Sequence, residues 1–312
     1  MKLEQRIEGG LIGLLVGDAL GVPYEFKPPT ELPSMEQIEF DPPQGFRRAH
    51  FGVRPGTWSD DGAQALILLD SLLTQDRLDL AHFSLGLRRW MLEGFYAVNR
   101  SVFDIGGQTS TAINRLNGGM DPEHSGPTDE RHNGNGALMR VLPLVLWHPG
   151  PDAELVQLAM QQSRPTHGHL RSQLASAVYC LWAKSVLNAA ASPWSDAVTR
   201  ARELLANPDF TQELDLILDS GNAERVSGSG YVVDTLWSAK QAVEQTCDYE
   251  SCVRHAISLG YDTDTTACVA GGIAGLMYGA EGIPARWRNN LRGMELVEPL
   301  LGKLLEHRAA TE

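Results

Sequence analysis

The sequence predicts an all-α protein, and three observations predict it. Apolar residues recur three and four apart along a succession of separate segments. No run alternates apolar and polar residues between turn signals, so strands are expected to be few or absent. Proline- and glycine-rich stretches at Lys27–Pro43, Gly118–Gly136 and Pro149–Pro151 punctuate the helical segments, and no low-complexity linker divides the chain. A single all-α domain over residues 1–312 is therefore expected.

Taken in order, the first helix lies near the start and carries Gly9, Gly13, Gly17 and Gly21 at four-residue spacing. Periodic segments follow at Ala63–Leu73, Leu80–Leu92, Leu155–Gln162, Leu170–Ala190, Ala197–Leu205, Tyr231–Glu244, Tyr249–Ser258 and Thr265–Tyr278. The last of these leads into a second stripe, Gly271, Gly275 and Gly279. An interior glycine costs a helix roughly 1 kcal/mol against alanine, so a stripe of them needs a reason. The reason is close approach: without Cβ atoms two helix backbones can touch. Trp90, Trp182 and Trp237 fall at helical spacing among apolar residues and are expected in the core.

Composition narrows the class of function. A chain of 312 residues with 43% apolar and 21% charged residues can bury a substantial core. The net charge of -13, without a basic run, argues against nucleic acid as a partner. The start, MKLEQRIEGG, lacks the features of a signal peptide, and Leu11–Val22 is too short for a membrane span and carries Asp18. Cys180, Cys247, Cys252 and Cys268 form no CxxC pair and suggest no disulfide framework. A cytoplasmic monomer, bound to neither membrane nor nucleic acid, is expected.

Two acidic clusters carry the chemistry. Thr57-Trp58-Ser59-Asp60-Asp61-Gly62 stands directly before one apolar helix, and Gly260-Tyr261-Asp262-Thr263-Asp264-Thr265-Thr266 opens another. Capping alone explains one Ser, Thr or Asp at such a place. It does not explain adjacent Asp60 and Asp61, which repel each other unless something positive intervenes, nor the repeat of that surplus at Asp262 and Asp264. Four carboxylates with Ser and Thr hydroxyls form an all-oxygen set suited to Mg²⁺, Mn²⁺ or Ca²⁺, and their number suits two ions. The expected function on these grounds is metal-dependent hydrolysis.

Further residues stay open on their own. Gly134-Asn135-Gly136 either cradles phosphate through its N–H groups or turns the chain into a helix from Ala137. His167 and His169 lack the cysteine pair or HExxH helix of a zinc site. Asp104 before a glycine pair reads as a cap, and Gly228-Ser229-Gly230-Tyr231 either approaches a ligand or ends a loop.

The segments GLLVGDALGVPYEF, GTWSDDGAQALILL, GNGALMRVLPL, PTHGHLRS, SGYVVDTLW and GYDTDTTACVAGGIAGLMYG, in this order, resemble the ADP-ribosylglycohydrolase family. The resemblance implies a compact orthogonal multi-helix bundle with a binuclear Mg²⁺ or Mn²⁺ centre. It implies Ser59, Asp60, Asp61, Asp262, Asp264 and Thr265 as ligands, with Asp264 bridging. Glu25 matches the family's mobile glutamate near the metals, so Glu25, Asp60, Asp61 and Asp264 are the expected catalytic set. Asn135 with its neighbours Asn133, Gly134 and Gly136 matches the loop that holds ADP-ribose; His167 lines the same cleft, and Asp104 resembles a residue of a substrate-side loop. Gly62 departs from the threonine usual after the paired aspartates, which removes a possible hydrogen bond behind the metal ligands.

The resemblance implies cleavage of an ADP-ribosyl bond on a modified protein side chain, arginine foremost, through an oxocarbenium-like transition state. The alternatives are a small or O-linked derivative, such as ADP-ribosyl-serine or O-acetyl-ADP-ribose, and a non-catalytic crystallin-like or ADP-ribose-binding relative. Four retained carboxylates argue against a structural, crystallin-like role.

Overall fold

In the computed structural model, which describes residues 1–311, the nine expected helices form and five more join them. The helices are α1 (Leu3–Gly21), α2 (Asp60–Gln75), α3 (Leu80–Glu93), α4 (Gly107–Asn117), α5 (Leu142–Trp147), α6 (Asp152–Ser163), α7 (Leu170–Leu187), α8 (Pro193–Leu204), α9 (Pro208–Leu218), α10 (Val232–Glu244), α11 (Tyr249–Ser258), α12 (Thr263–Gly282), α13 (Ala285–Arg288) and α14 (Met294–Thr311). Among the described residues no strand forms; a single bridge pairs Gly134 with Tyr231. The fold is all-α, as the periodicity requires.

The glycine stripes meet face to face. A Cβ on Gly9 would stand 2.2 Å from the Gly275 carbonyl oxygen, one on Gly13 2.4 Å from that of Gly271, and one on Gly17 2.1 Å from that of Ala267. A Cβ on Gly21 would lie 2.3 Å from the Asp264 Cα. Rising numbers on α1 pair with falling numbers on α12, so the helices run antiparallel in backbone contact. The other sides of both helices are apolar, and α1 is buried continuously from Gly9 to Gly21. Its apolar length comes from being wrapped by protein on every side. Trp90, Trp182 and Trp237 are buried in the same core, and the four cysteines are free.

Several boundaries differ from expectation, and two differences matter. Helix α2 begins at Asp60 and α12 at Thr263, so Asp60, Asp61 and Asp264 sit inside the first turns and Asp262 at the cap, where the helix dipole is positive. The turn at Gly134–Gly136 does not lead into a helix at Ala137; α5 starts only at Leu142. Helix α7 stops at Leu187, and α8 starts at Pro193, a proline suited to the first helical turn.

Candidate active site

The antiparallel clasp sets the site. It lays the end of α1 beside the start of α12, and the chain leaving α1 turns directly into Glu25. Phe26 N–H donates to the Tyr261 carbonyl, and Tyr261 N–H to that of Lys27, each at 2.7 Å, holding Glu25 against Asp262. Carboxylate oxygens of Glu25, Asp262 and Asp264 gather within 4.8 Å of one another.

The other cluster is brought in by Asp18. This buried carboxylate accepts from the Ser59 N–H at 2.8 Å and the Gly62 N–H at 2.8 Å, and so fastens the first turn of α2 to α1. Ser59 caps α2, its Oγ accepting from the Asp61 N–H. Across the gap the Thr265 hydroxyl donates to Asp61 Oδ1 at 3.3 Å. The two clusters, about two hundred residues apart in the sequence, are neighbours.

A cavity of about 490 Å³ opens above them. Glu25, Asp60, Asp61, Asp104, Asp262 and Thr265 line its acidic side, and Gly134, Asn135, Gly136 and His167 line the opposite one. Asn135 ties the sides together, its Nδ2 donating to Asp262 Oδ2 at 2.8 Å. Asn133 does not reach the cavity: its side chain donates to the Glu130 carbonyl and accepts from the Ser172 hydroxyl, holding the loop from behind. Nor do three free amides form a phosphate cradle, because the Gly134 N–H is spent on Gln108 Oε1 and that of Asn135 on the Gly230 carbonyl. Asp104 is no helix cap; it sits at φ 55 on the cavity wall, and the cap of α4 is Gly106.

A profile for the ADP-ribosylglycohydrolase family matches residues 1–312. The chain belongs to that family. It is similar to ADP-ribosylarginine hydrolase Tri1 of Serratia proteamaculans, at 29% identity over 96% of this chain and 78% of that one. It is likewise 29% identical to the ADP-ribosyl-[dinitrogen reductase] glycohydrolase of Rhodospirillum rubrum, over 93% and 91%. A solved structure titled ADP-ribosylglycohydrolase-related protein complex superposes with a TM-score of 0.76 at 31% identity, over 98% and 99% of the two chains. As an ADP-ribosylglycohydrolase the protein is a hydrolase of glycosidic bonds to ADP-ribose.

The donor set of this ADP-ribosylglycohydrolase fits divalent metal. Asp61 Oδ2 and Asp264 Oδ2 are buried without a hydrogen-bond partner, a costly state for carboxylates unless a cation meets them. Burial and then neighbouring negative charge push Asp60, Asp61 and Asp264 well above the usual carboxylate range. Burial raises Asp18 from 3.8 to about 7 and Asp104 to about 6.

Such groups bind protons more tightly in the folded chain than in the unfolded one. Their contribution is present at acid pH and is lost as pH rises from about 4 through 7. Metal-free protein is therefore expected to melt higher near pH 5 than near pH 8, and saturating Mn²⁺ is expected to flatten that slope by replacing the protons. Melting curves in chelator and in Mn²⁺ check this; a metal-free melting temperature that rises with pH would sink it.

Gly62 leaves no gap for the missing threonine. A Cβ there would lie 2.7 Å from Leu15 Cδ2 and 2.9 Å from Trp58 Cγ, so the core fills that place. Support for the acidic side chains comes instead from Gln64, Arg140 and His50, which the sequence analysis did not single out. Gln64 Nε2 donates to Asp60 Oδ2 at 3.0 Å, and its Oε1 accepts from the fully buried Arg140 at 2.8 Å. Arg140 also donates to the Thr166 hydroxyl at 2.7 Å, which leaves that hydroxyl to donate to His167 Nδ1 at 2.8 Å. His167, held neutral by burial, thus keeps its proton on Nε2, beside Gly134 and Gly136.

Gln64→Leu is expected to weaken metal binding about 10- to 100-fold, because Asp60 loses the partner that orients it. Calorimetric Mn²⁺ titration measures this, and unchanged affinity would remove Gln64 from the site's support.

His50 faces Glu25 directly, its Nε2 in close contact with Glu25 Oε2, and reaches Asp104 Oδ1 at 3.7 Å. Burial lowers the His50 pKa and pushes that of Glu25 well up where the two groups meet at the cavity wall.

Proposed function

We propose that the protein hydrolyses the bond joining ADP-ribose to an arginine side chain of a modified protein, with two divalent cations, Mg²⁺ or Mn²⁺, held by Ser59, Asp60, Asp61, Asp262, Asp264 and Thr265. The observation that carries the reading is the pair of orphaned buried oxygens, Asp61 Oδ2 and Asp264 Oδ2, beneath a cavity of small-molecule size. The arginine linkage is supported by the activity for which the Serratia relative is named.

Bound there, divalent cations supply Lewis acidity that polarises ribose hydroxyls and makes water nucleophilic at neutral pH. The chain's own residues do the rest. Asn135, Gly136 and His167 line the wall against which the ligand is held, with His167 Nε2–H as a donor. Glu25 Oε2, in contact with His50 Nε2, either orients the attacking water or moves a proton at the departing nitrogen. Phe26 and Tyr261 border the cavity and limit the entry of bulk water.

A panel of arginine-, serine- and acetyl-linked ADP-ribose substrates, each with Mg²⁺, Mn²⁺ or chelator, tests the proposal. Release is expected from the arginine-linked substrate with metal and none with chelator. Unchanged release in chelator would overturn the metal role; release from another linkage alone would overturn the arginine assignment.

A further inference from the structure

The segment Arg47-Arg48-Ala49-His50-Phe51-Gly52-Val53-Arg54 is unlike the rest of the chain. Residues 42–59 carry three arginines and one histidine with no carboxylate, in a protein of net charge -13. Arg164, Arg171, Arg200, Arg202, Arg254 and Arg286 each meet a carboxylate, whereas Arg47, Arg48 and Arg54 have no hydrogen bond or ion pair among the described residues. Arg48 Nε is shut away from solvent with nothing to donate to. Phe51, in their midst, is 91% exposed. The segment thus offers solvent unpaired guanidinium groups around one exposed aromatic ring.

The segment borders the mouth of the cavity. Ala49 N–H donates to the Pro23 carbonyl at 2.9 Å, and the His50 ring lies 5.5 Å from that of Phe26 and 5.1 Å from that of Phe103. Glu25 and Phe26, which this segment contacts, line the cavity. Among the described residues no lysine or arginine lines it. The three arginines therefore lie outside the cavity lining, on a segment that packs against its wall through Ala49 and His50.

We propose that Arg47, Arg48 and Arg54, with Phe51 as an apolar anchor, form a docking rim for acidic side chains flanking the modified residue of the target protein. The inference rests on the reading that the substrate is a modified protein. Its charge complementarity is local. A nucleic acid long enough to bind by its backbone would run from these arginines onto a strongly acidic protein surface, which disfavours it.

The test uses the full chain with Mn²⁺ and the double variant R47E/R54E, leaving the partly buried Arg48 in place. The substrates are an ADP-ribosyl-arginine peptide flanked by glutamates, the same peptide flanked by glutamines, and free ADP-ribosyl-arginine. At low salt the variant is expected to raise KM for the glutamate-flanked peptide about tenfold with kcat unchanged, and to leave the other two substrates within about twofold. High salt is expected to erase the difference. Equal KM for wild type and variant on the glutamate-flanked peptide, or an equal loss on all three substrates, would overturn the rim.

If the wild type cleaves none of the three, the arginine reading fails, and docking is read by itself from the anisotropy of a labelled, unmodified glutamate-flanked peptide. Tighter binding to the wild type than to R47E/R54E supports the rim, and equal binding overturns it. Displacement of that peptide by a short single-stranded oligonucleotide at lower concentration than unlabelled peptide also overturns it, in favour of nucleic acid.

Discussion

Asp264→Asn is expected to end ADP-ribose release while leaving the metal-free chain at least as stable as the wild type. Asp264 is fully buried and stands among Glu25, Asp61 and Asp262, and burial with neighbouring charge raises its pKa well above the carboxylate range. Without cations burial therefore favours the neutral acid, which asparagine matches in size and charge. The Thr265 N–H that donates to Oδ1 at 2.8 Å keeps an acceptor in the asparagine oxygen. What the variant loses is negative charge at an orphaned oxygen, and with it the attraction that holds a divalent ion. A loss of at least about a thousandfold in turnover, about 4 kcal/mol of transition-state stabilisation, is expected. Release assays in Mn²⁺ and melting curves in chelator measure the two halves. A variant that melts well below wild type in chelator would mean that Asp264 is a structural residue.

Gly17→Val is expected to produce the largest loss of stability of any single change on α1. A Cβ at 17 would stand 2.1 Å from the Ala267 carbonyl oxygen and 2.7 Å from its carbon, both backbone atoms of α12 that no rotamer change can move. Two helices in backbone contact must part along their length, which opens the core on both sides. Overpacking of a well-packed site costs 1–3 kcal/mol where side chains can adjust; here they cannot, and about 4 kcal/mol or more is expected. That is a large share of a typical folding free energy and lowers the melting temperature by roughly 6 °C or more. Thermal melting checks it. The same displacement moves the first turn of α12, so Mn²⁺ affinity should fall together with stability. A Gly17→Val protein that melts within a degree or two of wild type would show that the clasp is loose.

Much of this was readable in the sequence, for identifiable reasons. Asp60 and Asp61, and Asp262 and Asp264, betray themselves because like charges side by side are costly and need a local cause. The stripes on α1 and α12 betray themselves because each glycine costs helix stability. What stayed hidden is what depends on partners distant in the chain. Asp18 read as a charge that disqualifies a membrane span, and nothing near it reveals that it holds the backbone of Ser59 and Gly62. Gln64 looks like any helix residue until Arg140, 76 positions away, is seen to grip it. His50 lies in a stretch without periodicity, and only the turn of the chain after α1 brings Glu25 to it. Asn133 misled for the converse reason: adjacency in a motif does not fix which way a side chain points.

The antiparallel clasp also orders events in time. One acidic cluster is encoded near residue 60 and the other near residue 264, and α1 cannot be wrapped until α12 exists. A chain emerging from the ribosome therefore exposes an apolar first helix for most of its synthesis, and the site can assemble only when nearly all of it is made. Contacts so distant in sequence make for slow folding, with a long interval of vulnerability to aggregation. No truncated fragment ending before α12 can bring the two acidic clusters together, which confines the hydrolytic chemistry to molecules that have α12.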